Sequence, residues 1–450
     1  MLLAYLAALL AIASLADAQV PTWPVTWALN RSTYWYSCRQ DAPNDPALAT
    51  NWSIINIDWS NEKDIWAKEK PMRCEERLFE QAQAFKAARP AWARSWVYRN
   101  TCKALPWYST VRTLLSDPAY APWFLNFASN ATVNGSYYSP PCDANYDPPL
   151  CSNYYHDSVC PAYESGACQV PGYPTGDGDC AAPACDVGPV PVGEYLWDPR
   201  AWNTSINGQT LGDWWKDTYL FGPLGAGNEN ITGFYARTKK CPPHARVAPL
   251  TDLFRAPYPS LSLQFDDGFG PGGCSEMEQH QTIDLGLSAA ELQAVADAYT
   301  SNMREVYSVV LERGAFAEQL FFHVPFINDN STCAPTMRSL CSAASEAQTR
   351  FALFDLNTWP GNGDVNTNVS IAEFLLGRGP YAVTGITWSG CGCGCGVPDW
   401  VPLFDADFGT PIDAVCAETS PGVFSRRWSN ADISLDCNSP GQATPHIDLH

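Results

Sequence analysis

The chain is poor in basic residues, long apolar runs and nucleotide-binding motifs. It has 27 Lys and Arg against 47 Asp and Glu, a formal net charge of -20. A chain this acidic repels the phosphates of nucleic acids and anionic lipids, so neither is an expected partner. Beyond its amino-terminal segment no run of 18 apolar residues occurs, and no membrane span is predicted. No Gly-rich fingerprint follows a predicted strand, which argues against a dinucleotide fold, and no cofactor is expected.

The amino-terminal segment indicates secretion instead. Leu2 to Leu15 is almost wholly apolar, and Ala16-Asp17-Ala18 is a small-x-small cleavage site, so residues 1–18 are predicted to be a signal peptide. The 18 cysteines fit an oxidising compartment, where they can pair. Eight N-x-S/T sequons predict N-glycans on several of Asn30, Asn51, Asn130, Asn134, Asn203, Asn230, Asn330 and Asn368.

Short β-rich segments alternate with helical ones along the chain. Residues 53–59 and 94–100 are predicted strands, and residues 75–89 form a predicted helix between them. A second helix is predicted to begin at Ser288, where a capping box precedes an apolar repeat, and to end at Gly314. Such alternation is typical of a parallel sheet, and its length favours a (β/α)8 TIM-like barrel. Residues 19–438 are therefore predicted to be one barrel domain, and residues 439–450 a disordered tail.

Two segments interrupt this pattern. Residues 139–192 hold six cysteines among Pro, Gly, Asp and Tyr, which predicts a disulfide-rich loop insertion. Residues 236–264 carry five basic residues and five prolines, and cannot extend a parallel strand because each Pro removes a ladder donor. Without them, Tyr235 joins Phe265 in one clean strand. This segment is interpreted as a late insertion or an unspliced intron; the alternative is an ordinary basic loop.

The most informative motif follows that segment. Residues 263–275 place two adjacent carboxylates, Asp266 and Asp267, between an apolar run and a Gly-rich loop. Adjacent like charges repel, so their presence at a strand end suggests acid/base work or binding of sugar hydroxyls. The alternative is a loop with two solvated acids.

Other predicted strands also end in polar residues. Asp58 and Asp198 join Asp266 and Asp267 as candidate catalytic carboxylates, because glycoside hydrolysis needs one acid and one nucleophile or base. The candidate substrate-binding residues are Arg99, Glu194, His323 and Trp388. Arg99 and His323 also fit purely structural roles. No metal site is expected, because the Cys-rich run at 391–396 is better explained by disulfides than by zinc.

Several segments carry a family resemblance, among them residues 57–60, 72–77, 96–100 and 103–107. With residues 193–198, 374–381 and 422–428, they resemble secreted glycoside-hydrolase-like TIM-barrel proteins of algae, plants and related eukaryotes. The resemblance covers most of residues 25–437 and implies a barrel with carboxylates at its mouth. It also implies a Gly-Phe-Phe-x-Asp-Asp sequence at the fifth strand. Here the 29-residue segment 236–264 interrupts that sequence.

Together these observations predict a secreted, glycosylated glycoside hydrolase that acts on an extracellular or cell-wall polysaccharide. A non-catalytic carbohydrate-binding or surface glycoprotein on the same barrel is the alternative. A disulfide-rich component of the extracellular matrix is a third interpretation.

Overall fold

The computed structural model describes residues 26–66, 69, 71–125, 195–225, 233–235, 289–312, 316–317, 321–323, 330–342, 352–356, 367–389, 397–439 and 443–450. The predicted signal peptide and the two predicted insertions lie outside these residues. So do the candidate site residues Glu194, Asp266 and Asp267.

The described residues form sixteen strands and seven α-helices. The strands are β1 (Thr33–Ser37), β2 (Ile54–Ile57), β3 (Arg94–Tyr98), β4 (Lys103–Ala104), β5 (Tyr195–Leu196), β6 (Ser205–Ile206), β7 (Gln209–Thr210), β8 (Gly233–Tyr235), β9 (Phe316–Ala317), β10 (Phe321–His323), β11 (Ala352–Asp355), β12 (Ala382–Ser389), β13 (Ala417–Ser420), β14 (Val423–Trp428), β15 (Ala431–Asp436) and β16 (Thr444–Leu449). The helices are α1 (Lys63–Trp66), α2 (Cys74–Ala88), α3 (Ser109–Leu115), α4 (Leu211–Trp214), α5 (Ala289–Glu312), α6 (Asn330–Leu340) and α7 (Thr367–Gly377).

Eight strands make one sheet in the order β10-β11-β12-β1-β2-β3-β8-β9. Every pairing in it is parallel. Strand β1 therefore lies between β2, the next strand of the chain, and β12, the last of the parallel strands. Strands β9 and β10 occupy the two ends of this order, although only residues 318–320 separate them.

The seam between β1 and β12 depends on a glycine. A Cβ atom added to Gly385 would lie 1.8 Å from the backbone oxygen of Tyr34, which is far inside van der Waals contact. Any side chain there would push the first and last parallel strands apart, so glycine is required by the close approach.

The helix predictions are confirmed. The helix predicted over residues 75–89 is α2, and its buried residues Leu78, Ala82 and Phe85 recur at helical spacing. Phe85 packs edge-on against Trp35 of β1, with ring centroids 6.0 Å apart. In α5 the predicted apolar stripe is buried at Val295, Tyr299, Met303 and Val306. The proposed capping residue of α5, Ser288, lies outside the described residues.

The prediction that Asp198 ends a strand of the parallel sheet is wrong. Strand β5 instead pairs antiparallel with β4 in a separate two-stranded sheet. Pairing continues beyond it, since the Trp197 amide donates to the Cys102 carbonyl at 2.9 Å. Cys102 and β4 follow the carboxyl end of β3 in the chain. Strand β5, which pairs with β4, therefore lies among the loops above that end of the parallel sheet.

The prediction of a disordered tail over residues 439–450 is also wrong. Strand β16 pairs with β15 along its length and completes a four-stranded antiparallel sheet, β13-β14-β15-β16. Burial alternates along β15, with Ala431, Ile433 and Leu435 buried, as expected for a sheet with one face covered.

Two kinds of bond attach this antiparallel sheet to the helices. Disulfides join Cys333 to Cys437 and Cys341 to Cys416, which confirms the prediction that the chain forms disulfide bonds. The buried Arg426 of β14 donates to the carbonyls of Leu375, Leu376 and Arg378 at the end of α7. Carbonyls at the end of a helix have no partner within it, so the guanidinium supplies the missing donors. Its positive charge also interacts favourably with the negative end of the helix dipole.

Candidate active site

The carboxyl ends of β1, β2 and β3 meet at one edge of the parallel sheet. The residues that follow these strands are Cys38, Asp58 and Arg99. The Asp58 amide extends the ladder by donating to the Ser37 carbonyl at 2.9 Å. The Asn61 side chain, beyond β2, donates to the same carbonyl at 2.8 Å and accepts from the Ser37 hydroxyl at 2.9 Å. The loop after β2 is therefore held firmly against the end of β1.

Asp58 is buried and held in one orientation. Its Oδ1 accepts from the Ser60 amide at 2.9 Å and from the Ser60 hydroxyl at 2.5 Å. Only 4% of the residue is exposed. A short Asp-x-Ser turn thus places a carboxylate at the edge where parallel sheets of this kind carry their chemistry.

Below Asp58, the middle of β2 carries an unusual side chain. Asn56 is fully buried, and neither its Nδ2 nor its Oδ1 atom has a hydrogen-bond partner among the described residues. It stands in register with Tyr36 of β1 and Trp96 of β3. Leaving a buried amide unsatisfied costs roughly 1–3 kcal/mol per group. Asn56 was not selected from the sequence, although it lies two residues before Asp58 and therefore on the same face of the strand.

Arg99 pairs with an acid that sequence reasoning did not select. Its Nη2 lies 3.0 Å from Oε1 of Glu75, on α2, and the two side chains are 2% and 0% exposed. Burial raises the pKa of Glu75, and the Arg99 charge and the Thr110 donors oppose that rise. Arg99 also donates to the carbonyls of Tyr219 and Leu224. These contacts fasten α2 and residues 219–224 to the end of β3, which is a structural role.

Asp198 lies off the parallel sheet, and its carboxylate is engaged. Oδ1 accepts from the amide and the Nε of Arg200, and Oδ2 accepts from Arg200 Nη2 at 2.8 Å. Asp198 also caps the short helical turn Pro199–Ala201. Its described contacts are therefore those of a capping residue.

The two remaining candidates fall within the parallel sheet. His323 ends β10, and its backbone is in register with Asp355, which ends β11. Trp388 lies near the end of β12. The carboxyl ends of these strands thus bring positions 323, 355 and 388 to the same sheet edge as Asp58. Position 355 was not selected from the sequence, because residues 352–355 were not recognised as a strand.

A second carboxyl group missed by sequence reasoning follows Asp58 by four residues. Glu62 is 3% exposed and has a positive φ of 55°, a conformation that non-glycine residues rarely adopt. Burial raises the pKa of Glu62 to about 7, although Arg77 lies 3.4 Å away and opposes the shift. Arg77 is shared with Glu69 and Glu80. No sequence signal marked Glu62, because its burial depends on the loop after β2 folding onto α2.

This carboxyl group is expected to make folding stability pH-dependent. The folded pKa of Glu62 is about 7 against an ordinary value of 4.5. The folded state therefore holds a proton that the unfolded chain releases, and stability falls as the pH rises from about 5 to about 8. The shift corresponds to a loss of up to about 3 kcal/mol.

Urea denaturation of Glu62→Gln at pH 5, 6, 7 and 8 should show a flatter dependence than wild type. Glu80→Gln is the matched control, since Glu80 contacts the same Arg77 but is exposed. Parallel curves for Glu62→Gln and wild type would contradict the prediction.

Three tryptophans pack beside Asp58. The rings of Trp59, Trp66 and Trp107 lie within 5.3–6.3 Å of one another. The Lys63 ammonium lies 5.0 Å from the Trp59 ring centroid, a cation–π contact. Trp59 is half-buried and the other two are fully buried, so most of this aromatic surface serves packing.

Four of the predicted glycosylation sites, Asn30, Asn51, Asn203 and Asn368, are exposed.

None of the helices in the described ranges combines the length and the apolar run needed to cross a bilayer. No family model and no curated protein matches this chain.

Proposed function

We propose that this protein is a secreted glycoside hydrolase on a closed parallel β/α barrel, acting on an extracellular or cell-wall polysaccharide. The observation that supports it best is Asp58: a carboxylate fixed by two donors from Ser60, just past the end of a parallel strand. Enzymes with such sheets carry their reacting groups at that edge. The disulfides Cys333–Cys437 and Cys341–Cys416 accord with an oxidising compartment.

Chain length supports closure of the sheet. Ala317 ends β9 and Phe321 begins β10, so their Cα atoms are at most about 14 Å apart. In an open eight-stranded sheet the outer strands would lie roughly 34 Å apart. A sheet that curls closed brings β9 and β10 this close together, and this is the arrangement that we propose.

In this proposal Asp58 is one of the two carboxyl groups that glycoside hydrolysis requires. Ser60 orients its oxygen, so Asp58 is assigned as the nucleophile or as the base that activates water. The proton donor to the leaving oxygen is assigned to Asp266 or Asp267. The inner-facing amide of Asn56 offers a donor and an acceptor for a sugar hydroxyl or for a water molecule beneath the reacting ring.

Substitution of Asp58 tests this assignment. Asp58→Asn keeps an oxygen that can accept from Ser60 but removes the charge, so hydrolysis should fall at least about 10³-fold, as for loss of a catalytic group. Reducing ends released from a panel of neutral and acidic cell-wall polysaccharides provide the measurement. Asp64→Asn, the same change at an exposed position in α1, should leave the rate unchanged.

Full turnover by Asp58→Asn, with an unchanged melting temperature, would refute the catalytic role of Asp58. The non-catalytic carbohydrate-binding alternative keeps one observation in its favour: the carboxylate of Asp198 is bound to Arg200. Wild-type protein that binds a polysaccharide from the panel but releases no reducing ends would establish that alternative.

A further inference from the structure

A cavity of about 200 Å³ opens at the opposite edge of the parallel sheet, where β1, β2, β3 and β12 begin. It is lined by Ser32 and Ser53, just before β1 and β2, and by Arg94 and Ala382, the first residues of β3 and β12. Because β1, β2 and β3 are parallel and four or five residues long, this edge is roughly 13–17 Å from Asp58. The cavity is therefore separate from the candidate active site.

The cavity is positively charged in a strongly acidic chain. Arg31 and Arg94 line it, and the described residues of its lining include no Asp or Glu. Burial lowers the pKa of Arg94 to about 10, which still leaves it charged at neutral pH. Arg31 is exposed, and its guanidinium lies 5.0 Å from the Trp92 ring centroid.

Two buried arginines stand behind the lining. Arg89 donates to the carbonyls of Trp52 and Arg94, and Arg378 donates to the carbonyls of Thr26 and Trp27. Neither forms an ion pair with an acid among the described residues. Four of the 27 basic residues thus gather at one end of a chain whose net charge is -20. Such a concentration of positive charge attracts an anion.

The shape and the aromatic wall restrict what that anion is. Trp92 is a large apolar side chain left 38% exposed, and Tyr381 also lines the cavity. The volume is below the 300–1,000 Å³ typical of sites for drug-sized ligands, so the cavity suits a single small ring. We propose that it binds one sugar unit bearing a carboxylate, with the carboxylate on Arg31 and Arg94 and the ring against Trp92.

Calorimetric titration of the full glycosylated chain tests this with galacturonate, galactose and acetate. Galacturonate should bind, with an affinity that weakens as salt rises, and galactose and acetate should each bind at least about tenfold more weakly. Arg31→Gln should reduce galacturonate affinity about tenfold, the usual effect of losing one charge-assisted hydrogen bond. Arg427→Gln, an exposed arginine of β14, is the matched control and should change nothing. Trp92→Ala should weaken galacturonate but not acetate.

Each alternative outcome would refute one part of the proposal. Equal binding of galactose and galacturonate would refute charge recognition, and equal binding of acetate and galacturonate would refute recognition of the sugar ring. Unchanged affinity in Arg31→Gln would refute the location. Asn30 neighbours the cavity in a sequon, so Asn30→Gln is a further arm: binding only after that change would show the cavity filled by the protein's own glycan.

The proposal does not rest on catalysis. Asp58→Asn should bind galacturonate as wild type does. Wild-type protein that binds galacturonate but hydrolyses nothing would refute the hydrolase and leave this site standing. An oligogalacturonide that binds no better than the monosaccharide would confirm a site for one unit.

Discussion

Removing the Glu75 carboxylate while Arg99 remains is expected to destabilise the protein by about 3–5 kcal/mol. The pair is almost completely buried at 3.0 Å, so Glu75→Leu leaves a charge in the core with no acid opposite it. Arg99 also holds residues 219–224 through backbone carbonyls, and this loop layer should loosen along with α2. Guanidinium denaturation followed by tryptophan fluorescence measures the loss.

The double substitution Glu75→Leu/Arg99→Met distinguishes the cost of leaving one charge unpaired from the net contribution of the buried pair. Replacing both partners removes two desolvation costs together with the attraction, so the double variant should be more stable than Glu75→Leu alone. Glu80→Gln is the control, because Glu80 lies on the same helix but is exposed. A Glu75→Leu variant within 1 kcal/mol of wild type would show that Arg99 needs no acid partner.

Removing the Cys333–Cys437 disulfide is expected to cost about 4 kcal/mol. The crosslink spans 104 residues and joins α6 to the residue after β15, so it restricts a long loop in the unfolded chain. The double variant Cys333→Ala/Cys437→Ala should unfold at lower denaturant concentration, with the antiparallel sheet becoming protease-sensitive first. Cys341–Cys416 tethers the same helix and remains in this variant, so removing both disulfides should cost more than the sum of the two separate losses.

Cys74→Ala is the matched control for that experiment, because Cys74 is buried and forms no disulfide. It removes a sulfur from the core without opening a crosslink, and should cost only about 1 kcal/mol. An equal loss from Cys74→Ala and from the crosslink variant would show that the disulfide contributes packing alone. Unchanged protease sensitivity of residues 417–449 would show that Arg426 suffices to hold the sheet.

Sequence patterns identified several elements of the parallel sheet and the long helices around it. The periodic apolar residues of α2 and α5 predicted both, since a helix that buries one face must repeat apolar residues every three or four positions. The antiparallel sheet was missed because β13 is exposed along its length and β16 has no buried residue, so neither carries an alternating apolar pattern. Strand β5 was misplaced because sequence pattern does not reveal a strand's partner.

Among the residues of the candidate site, too, some could be selected from the sequence and others could not. Asp58 could be selected because a carboxylate directly after an apolar strand is recognisable in the amino-acid sequence. Glu75, Glu62 and Asn56 were not, because each owes its character to burial by residues distant in sequence. Asp198 shows the converse: it reads as a strand-end acid, but Arg200 binds its carboxylate.

The local properties of this protein could be established from its amino-acid sequence: the acidity, the cysteine content, the sequons, the helical stripes and the acids that end predicted strands. These depend on residue type and short-range spacing. Only the tertiary structure decided that β1 pairs with β12, that Arg99 pairs with Glu75 and that arginines gather where the strands begin. Those contacts join residues tens to hundreds of positions apart, and burial sets their energies because water no longer screens the charges or satisfies the polar groups.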